Sequence, residues 1–412
     1  MRTVFLANGI KVVLIPHSGN VCGIQFVGEA GSLYTSPGLS HFLEHTVLCA
    51  SEKYPDFNLL AGSIDPLGIF RNAFTSHTHI HFVFKCLSEH IPAVFNFLAE
   101  VTIHPLLKQS DVEKQKKIII QEIDRQQSDL PTVARLLSLE QMYGKNGPGI
   151  PVLGDRDAVT EVTVDNLRSF FQNTFVAERF FLVIVGTFDE TNLIKTLETT
   201  IGAMPKKDSF IKQNRDWSIL APSYKVFERP GIAQASIQVL WKSCSANNPS
   251  FYSVLLFKYL MTEGRLSRLW NVLRQESGLA YSTGSALVAK FDYGNFSIST
   301  GVAKENVDLA LEKIHQEINT IAEKGISLDE LARLKNLAKT KLLFAADSAF
   351  TLSDYYAGKI SSNPRFEGIA IEVGHIESVT VDQLQAVARG FSKENAYVTV
   401  VKPADTPLLK KF

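Results

Sequence analysis

The stretch Gly38-Leu-Ser-His41-Phe-Leu-Glu44-His45 decides how this chain is read, together with Glu122, which follows His45 after 76 intervening residues. On a helix each residue turns the chain by about 100°, so His45 falls about 40° from His41 and Glu44 about 60° to the other side. All three side chains then share one face. Two imidazoles so placed can take two corners of a tetrahedral zinc. Glu44 points beside the metal, placed to take a proton from a water rather than to ligate. The letter order H-x-x-E-H is the inverted form of the common H-E-x-x-H. Ser36 as N-cap and Pro37 as first helical residue predict where the helix starts, and Leu39, Phe42 and Leu43 give it a partly apolar face.

A catalytic zinc takes a third protein ligand and keeps a fourth position open. Glu122 is the candidate. It lies in SDVEKQKKIIIQEIDRQQ, which reads as a helix with Ser110 and Glu113 as a capping box. Ile118, Ile119 and Ile123 supply its buried side.

Bulk properties narrow the class. A chain of 412 residues suits two domains of about 200. Lys plus Arg is 42 and Asp plus Glu is 42, so nothing asks for nucleic acid or an acidic surface as partner. No apolar run approaches the length of a membrane span. Near the N-terminus, Asn8-Gly9 between β-branched runs signals a hairpin, not a signal peptide. Cys22, Cys49, Cys86 and Cys244 contain no C-x-x-C pair and are too few for a disulfide framework, so they read as buried free thiols. Together these features predict a cytoplasmic protein.

The chain also repeats itself. VTVDNL begins at Val162 and VTVDQL at Val379, an offset of 217 residues. The same shift carries Ser110 and Glu113 onto Ser327 and Glu330, which open a second helix, LDELARLKNLAKTKL. Strands follow both VTVD helices, at 179–186 and 396–403. The expected organisation is a zinc-binding half over 1–205, a linker over 206–221 and a homologous half over 222–412. Each half mixes strands and helices: hairpin strands, the motif helix, an alternating strand over Thr75–Cys86, helices near 89–103, 111–128 and 132–143, then a last helix and strand. The fold class is α+β, an antiparallel sheet with helices packed on one face, twice. Shifting His41, Glu44, His45 and Glu122 gives Lys258, Met261, Thr262 and Lys339, so only the first half carries the metal motif.

These residues resemble the pitrilysin/insulinase family of zinc peptidases, which includes the mitochondrial processing peptidases. GLSHFLEH is similar to that family's zinc helix, and the gap to Glu122 to the spacing of its processing-peptidase branch. The likeness extends to NAFTS (72–76), to PVLGD (151–155) and to SRLWNVLRQESGLAYS (267–282), where Arg274 and Tyr281 keep the seven-residue separation of the family's arginine/tyrosine segment. The resemblance implies one zinc per chain on His41, His45 and Glu122, with Glu44 as general base. It implies that Asn72 and Ala73 lie on an edge strand that pairs with substrate backbone, and that Arg274 and Tyr281 bind substrate and stabilise the polarised carbonyl. It further implies two α/β-roll halves closing as a clamshell around a chamber, a homodimer, and extended peptides or leader-like segments as substrates. Two departures stand out. Gln115 occupies a position where the family often has a glutamate, about 20° from Glu122 on the helix. HTVLCASEKYP is more similar to the presequence-degrading branch.

Other residues have competing readings. His77, His79 and His81 alternate in SHTHIHF and would share one face of a strand, which makes either a second metal site or, more often, a polar sheet face. The loop GKNGPGIPVLGDRD reads as a chain reversal. Without the resemblance, Arg274 is a helix-surface arginine and Tyr281 a buried strand residue. The rival to an active peptidase is a catalytically silent relative that binds polypeptides. The complete set of His41, Glu44, His45 and Glu122, kept with Arg274 and Tyr281, argues against it.

Overall fold

The computed structural model describes residues 1–207 and 217–404, and part of the expected linker over 206–221 lies outside them. Two compact units form, and they do not follow the chain linearly. The first gathers Met1–Arg125, the stretch from Pro151 into the linker, and Ala345–Ser361. The second gathers Gln126–Ile150, the stretch from the linker to Phe344, and the chain from Ser362 onward.

The first unit holds strands β1 (Arg2–Phe5), β2 (Lys11–Pro16), β3 (Val21–Gly28), β4 (Phe70–Thr75), β5 (Ile80–Leu87) and β6 (Phe180–Gly186) in one sheet of order β1-β2-β6-β3-β5-β4. Every pair is antiparallel except β2 with β6. The β1–β2 connection is the expected hairpin, with Gly9 at φ 92° and the Asn8 side chain accepting from the Ile10 amide. Alternate residues of β3 and its neighbours, among them Ile24, Phe26, Phe82 and Ile184, pack into one core with Phe42 and Leu43 of the motif helix. The opposite face of β3 meets the helix Ala349–Ser362. A Cβ on Gly23 would lie 2.5 Å from the Ala349 carbonyl oxygen, so only glycine allows this approach.

The second unit repeats the plan with β7 (Tyr224–Arg229), β8 (Ala235–Lys242), β9 (Ala280–Ala289), β10 (Gly294–Val302) and β11 (Tyr397–Pro403) in the order β7-β11-β8-β10-β9. Again one pair is parallel, β7 with β11. Its core centres on Trp241, Phe257, Phe296 and Phe391, with Phe296 stacked on Phe391 at 4.8 Å between ring centroids. The helix Leu130–Tyr143 belongs to this unit, where Gln141 donates to the Ser223 carbonyl and accepts from Thr399.

The matched landmarks of the repeat take matched structures. The VTVD segments start helices Val164–Thr174 and Val381–Gly390, each with a full capping box, Thr163 with Asn166 and Thr380 with Gln383. The helix Leu328–Ala345 is capped by Ser327, whose hydroxyl accepts from the Glu330 amide. Ser110, by contrast, is not an N-cap: its helix runs Gln109–Ser128, two residues earlier than the start expected at 111, and the Lys108 carbonyl accepts from the Asp111 and Val112 amides. Among the described residues no helix is long and apolar enough to cross a membrane.

Candidate metal centre

The motif helix spans Leu39–Val47, two residues short of the start expected from Pro37. Gly38 is its N-cap, at φ 76°, and Ser36 contributes only its carbonyl, which accepts from the Leu39 amide. Packing explains the shift. A Cβ on Gly38 would sit 2.7 Å from the Leu153 carbonyl oxygen, and one on Gly154 would sit 2.9 Å from the Gly38 Cα. The PVLGD loop is therefore seated on the mouth of the motif helix, glycine against glycine, and does more than reverse the chain. Asp155 then caps the helix Arg156–Thr160.

His41, Glu44 and His45 emerge on one helix face as the 3.6-residue period requires. The two imidazoles meet edge to face at 4.6 Å. Glu122, from the helix Gln109–Ser128, brings Oε2 to 3.6 Å from His41 Nε2 and to 3.6 Å from His45 Nε2. All three donor atoms lie within 4.8 Å of one another, the only such group of His, Cys, Asp or Glu among the described residues. Donors bound to one tetrahedral zinc lie about 3.3 Å apart for bonds of about 2.0–2.1 Å, so each imidazole stands within a few tenths of an ångström of that separation from the Glu122 carboxylate. Burial, with His45 adding to it, pushes His41 down to about 3, which keeps its imidazole neutral, with one ring nitrogen able to ligate. Two imidazoles and a carboxylate, carried on two helices, are a donor set that fits zinc.

Glu44 is buried at 5 % exposure beside this group, and its Oε2 accepts from the Thr75 hydroxyl at the end of β4. Burial raises its pKa to about 7, with the Glu122 charge adding to the rise and Thr75 and His45 opposing it. Gln115 touches the centre without ligating: its Oε1 is 3.1 Å from His45 Nδ1. An open cleft of about 480 Å³ passes over these residues, lined also by Asn72, Ala73, Phe74 and Leu153. Asn72 and Ala73 sit on β4, the sheet edge, paired on one side only, to β5.

Arg274 and Tyr281 belong to the second unit. Arg274 lies on a π-helical turn, Trp270–Glu276, and Nη1 donates to the Tyr281 carbonyl at 2.8 Å. Its guanidinium stacks on Trp270 at 4.2 Å and on the Tyr281 ring at 4.9 Å. Tyr281 is 80 % exposed on edge strand β9, not a buried strand tyrosine.

The histidine run resolves differently from a strand face. Residues 76–79 form the turn between β4 and β5, closed by the Ser76 and His79 backbones, so His77 and His79 leave the alternation and only His81 is on a strand. His81 stacks on Phe74 at 4.3 Å, and no second metal group forms there. In the second unit the positions matching the motif carry a salt-bridge network. Lys258 and Lys341 lie 3.8 and 2.7 Å from Glu263, Lys339 pairs with Glu377, and Met261 is fully buried. Thr75 and Cys49 were silent in the sequence. Their contacts with Glu44 and Gln115 join segments far apart in the chain, and no local period announces them.

Comparison with known proteins agrees with this architecture. Residues 11–156 match the insulinase family (peptidase family M16), and residues 161–338 match the peptidase M16 inactive domain. A Bacillus subtilis protein named uncharacterized zinc protease YmxG is 23% identical, over 96% of this chain and 97% of its own. An uncharacterized zinc protease of Rickettsia bellii is 24% identical, over 97% and 96%. The crystal structure of a protease from Helicobacter pylori shares the fold at a TM-score of 0.92, with 16% identity over 98% of this chain and 99% of that one. A peptidase M16 inactive domain from Pseudomonas fluorescens aligns at 0.90, with 17% identity over 100% and 99%. The chain belongs to peptidase family M16, the pitrilysin/insulinase metallopeptidases. The two relatives described carry the name zinc protease, and the chain matches each over 96% or more of both lengths.

Proposed function

We propose that this chain is a zinc-dependent endopeptidase that hydrolyses extended, unfolded peptides or leader-like segments. His41, His45 and Glu122 would hold one zinc per chain, and the observation that carries the reading is their convergence beside a buried Glu44. Zinc, when bound, supplies Lewis acidity for the attacking water and the scissile carbonyl. Glu44 takes the proton of the attacking water and returns it to the leaving amine. Its pKa, raised to about 7 by burial, marks it as a group able to exchange a proton near neutrality, and a divalent cation next to it would favour the ionised, basic form. Thr75 holds the carboxylate still through the transfer.

The unpaired edge of β4 offers substrate a backbone ladder at Asn72 and Ala73, so selection falls on extended conformation more than on sequence. Arg274 and Tyr281 are the proposed donors to the carbonyl oxygen as charge develops. The two halves acting as a clamshell, and a homodimer completing a chamber, belong to the same proposal. The test is zinc content together with turnover of a quenched peptide, wild type against Glu44→Gln. The reading requires zinc in both and turnover in wild type alone; full turnover in the variant removes Glu44 from its role.

A further inference from the structure

We propose that Cys49 and Gln115 act together as positioning residues that fix His45 as the tautomer able to ligate metal, an inference that rests on the zinc reading of this site. Three hydrogen bonds form a closed relay at the end of the motif helix. The Cys49 thiol donates to the His45 carbonyl at 3.3 Å. Gln115 Nε2 donates to Cys49 Sγ at 3.2 Å. The third contact joins Gln115 Oε1 and His45 Nδ1 at 3.1 Å.

The direction of each bond follows from the one before. A backbone carbonyl only accepts, so the single thiol proton of Cys49 is committed to it and the sulfur lone pairs are left to accept. That choice turns the NH2 end of the Gln115 amide toward sulfur and its oxygen toward His45. An amide oxygen only accepts, so His45 Nδ1 must carry the proton. In the neutral ring, the form that ligates metal, Nε2 is then the bare nitrogen, and it is the one that faces Glu122 Oε2 at 3.6 Å. With the amide reversed, an NH2 group would face Nδ1, the ring proton would move to Nε2, and His45 could not ligate. His41 has no such help: its Nδ1 is buried without a hydrogen-bond partner. The protein thus sets the tautomer of one ligand histidine and leaves the other to the metal. A glutamine suits this position in a way a glutamate does not, because only the amide can donate to sulfur and accept from imidazole at once. Cys49, which reads in the sequence as an inert buried thiol, becomes the residue that chooses the amide's orientation.

The experiment has two readouts. In metal-free full-length protein carrying 15N-histidine, the His45 ring nitrogens, assigned with His45→Ala, report the tautomer directly. Zinc affinity is measured by chelator competition. Wild type should show the Nδ1–H form. Cys49→Ser, which keeps a donor and an acceptor, should keep both the tautomer and the affinity. Cys49→Ala and Gln115→Leu should show mixed tautomers and bind zinc about 10–100-fold more weakly. An Nε2–H form in wild type, or an unchanged tautomer and affinity in both disruptive variants, overturns the proposal. If the disruptive variants lose structure, visible in their thermal transition, the Cys49→Ser and wild-type tautomers still decide it. Failure of wild type to bind zinc defeats the peptidase reading instead, and the metal-free tautomer measurement remains decisive for the relay.

Discussion

Removing the Thr75 hydroxyl should move the acid limb of peptide hydrolysis to higher pH. Thr75 donates to Glu44 Oε2 and so favours the ionised carboxylate, the form that takes the proton. Hydrogen bonds to charged groups contribute about 1.5–3 kcal/mol, and one pK unit corresponds to about 1.4 kcal/mol. Glu44 is only 5 % exposed, so water replaces little of the lost bond. Thr75→Val keeps the shape and removes the donor, which raises the Glu44 pKa by about 1–2 units. Bound zinc lowers the limb in both proteins, but the displacement between them keeps its sign. The assay is kcat/KM for a quenched peptide across pH 5–9 with zinc saturating. At low pH the variant should fall about tenfold or more below wild type, and the two profiles should converge toward the plateau. An acid limb that stays in place, or that moves down, refutes the coupling of Thr75 to the proton-accepting group.

Other expectations follow from the same geometry. His41 is held neutral by burial, its pKa pushed down to about 3. A depressed histidine contributes stability that is complete above about 6.5 and is lost as pH falls from there toward 3, so metal-free wild type should lose about 2 kcal/mol more than His41→Gln between pH 6.5 and 5 in urea unfolding. Gly38→Ala places a Cβ 2.7 Å from the Leu153 carbonyl at φ 76° and should cost about 1–3 kcal/mol, lowering both the thermal transition and zinc occupancy. Thr163→Ala and Thr380→Ala each remove one capping box and should each cost about 1 kcal/mol while leaving the zinc content unchanged.

The site was legible because helical periodicity fixes His41, Glu44 and His45 on one face, and because Glu122 lies on a helix with its own apolar stripe. The duplication was legible because VTVDNL and VTVDQL repeat 217 residues apart and each opens a helix, whereas the capping box expected at Ser110 did not form. What escaped is non-local. The Ser36–Pro37 start looked sound by local propensity, yet the contact of Gly38 with Gly154 overrides it. The histidine alternation at 77–81 matched a strand period, but the β4–β5 turn falls within it. The helices Leu130–Tyr143 and Ala349–Ser362 fall by position within the expected halves 1–205 and 222–412, yet each is claimed by the other compact unit. Their apolar faces are visible in sequence, but the sheet that covers them is not.

Two imidazoles of one helix and the Glu122 carboxylate are proposed to grip a single zinc. Zinc K-edge X-ray absorption of the loaded protein tests this most directly. The expected spectrum shows a four-coordinate shell of nitrogen and oxygen at about 2.0–2.2 Å, with scattering from two imidazoles that drops to one in His45→Ala. A sulfur shell at about 2.3 Å, which would place Cys49 on the metal, or a spectrum unchanged in His45→Ala, contradicts it.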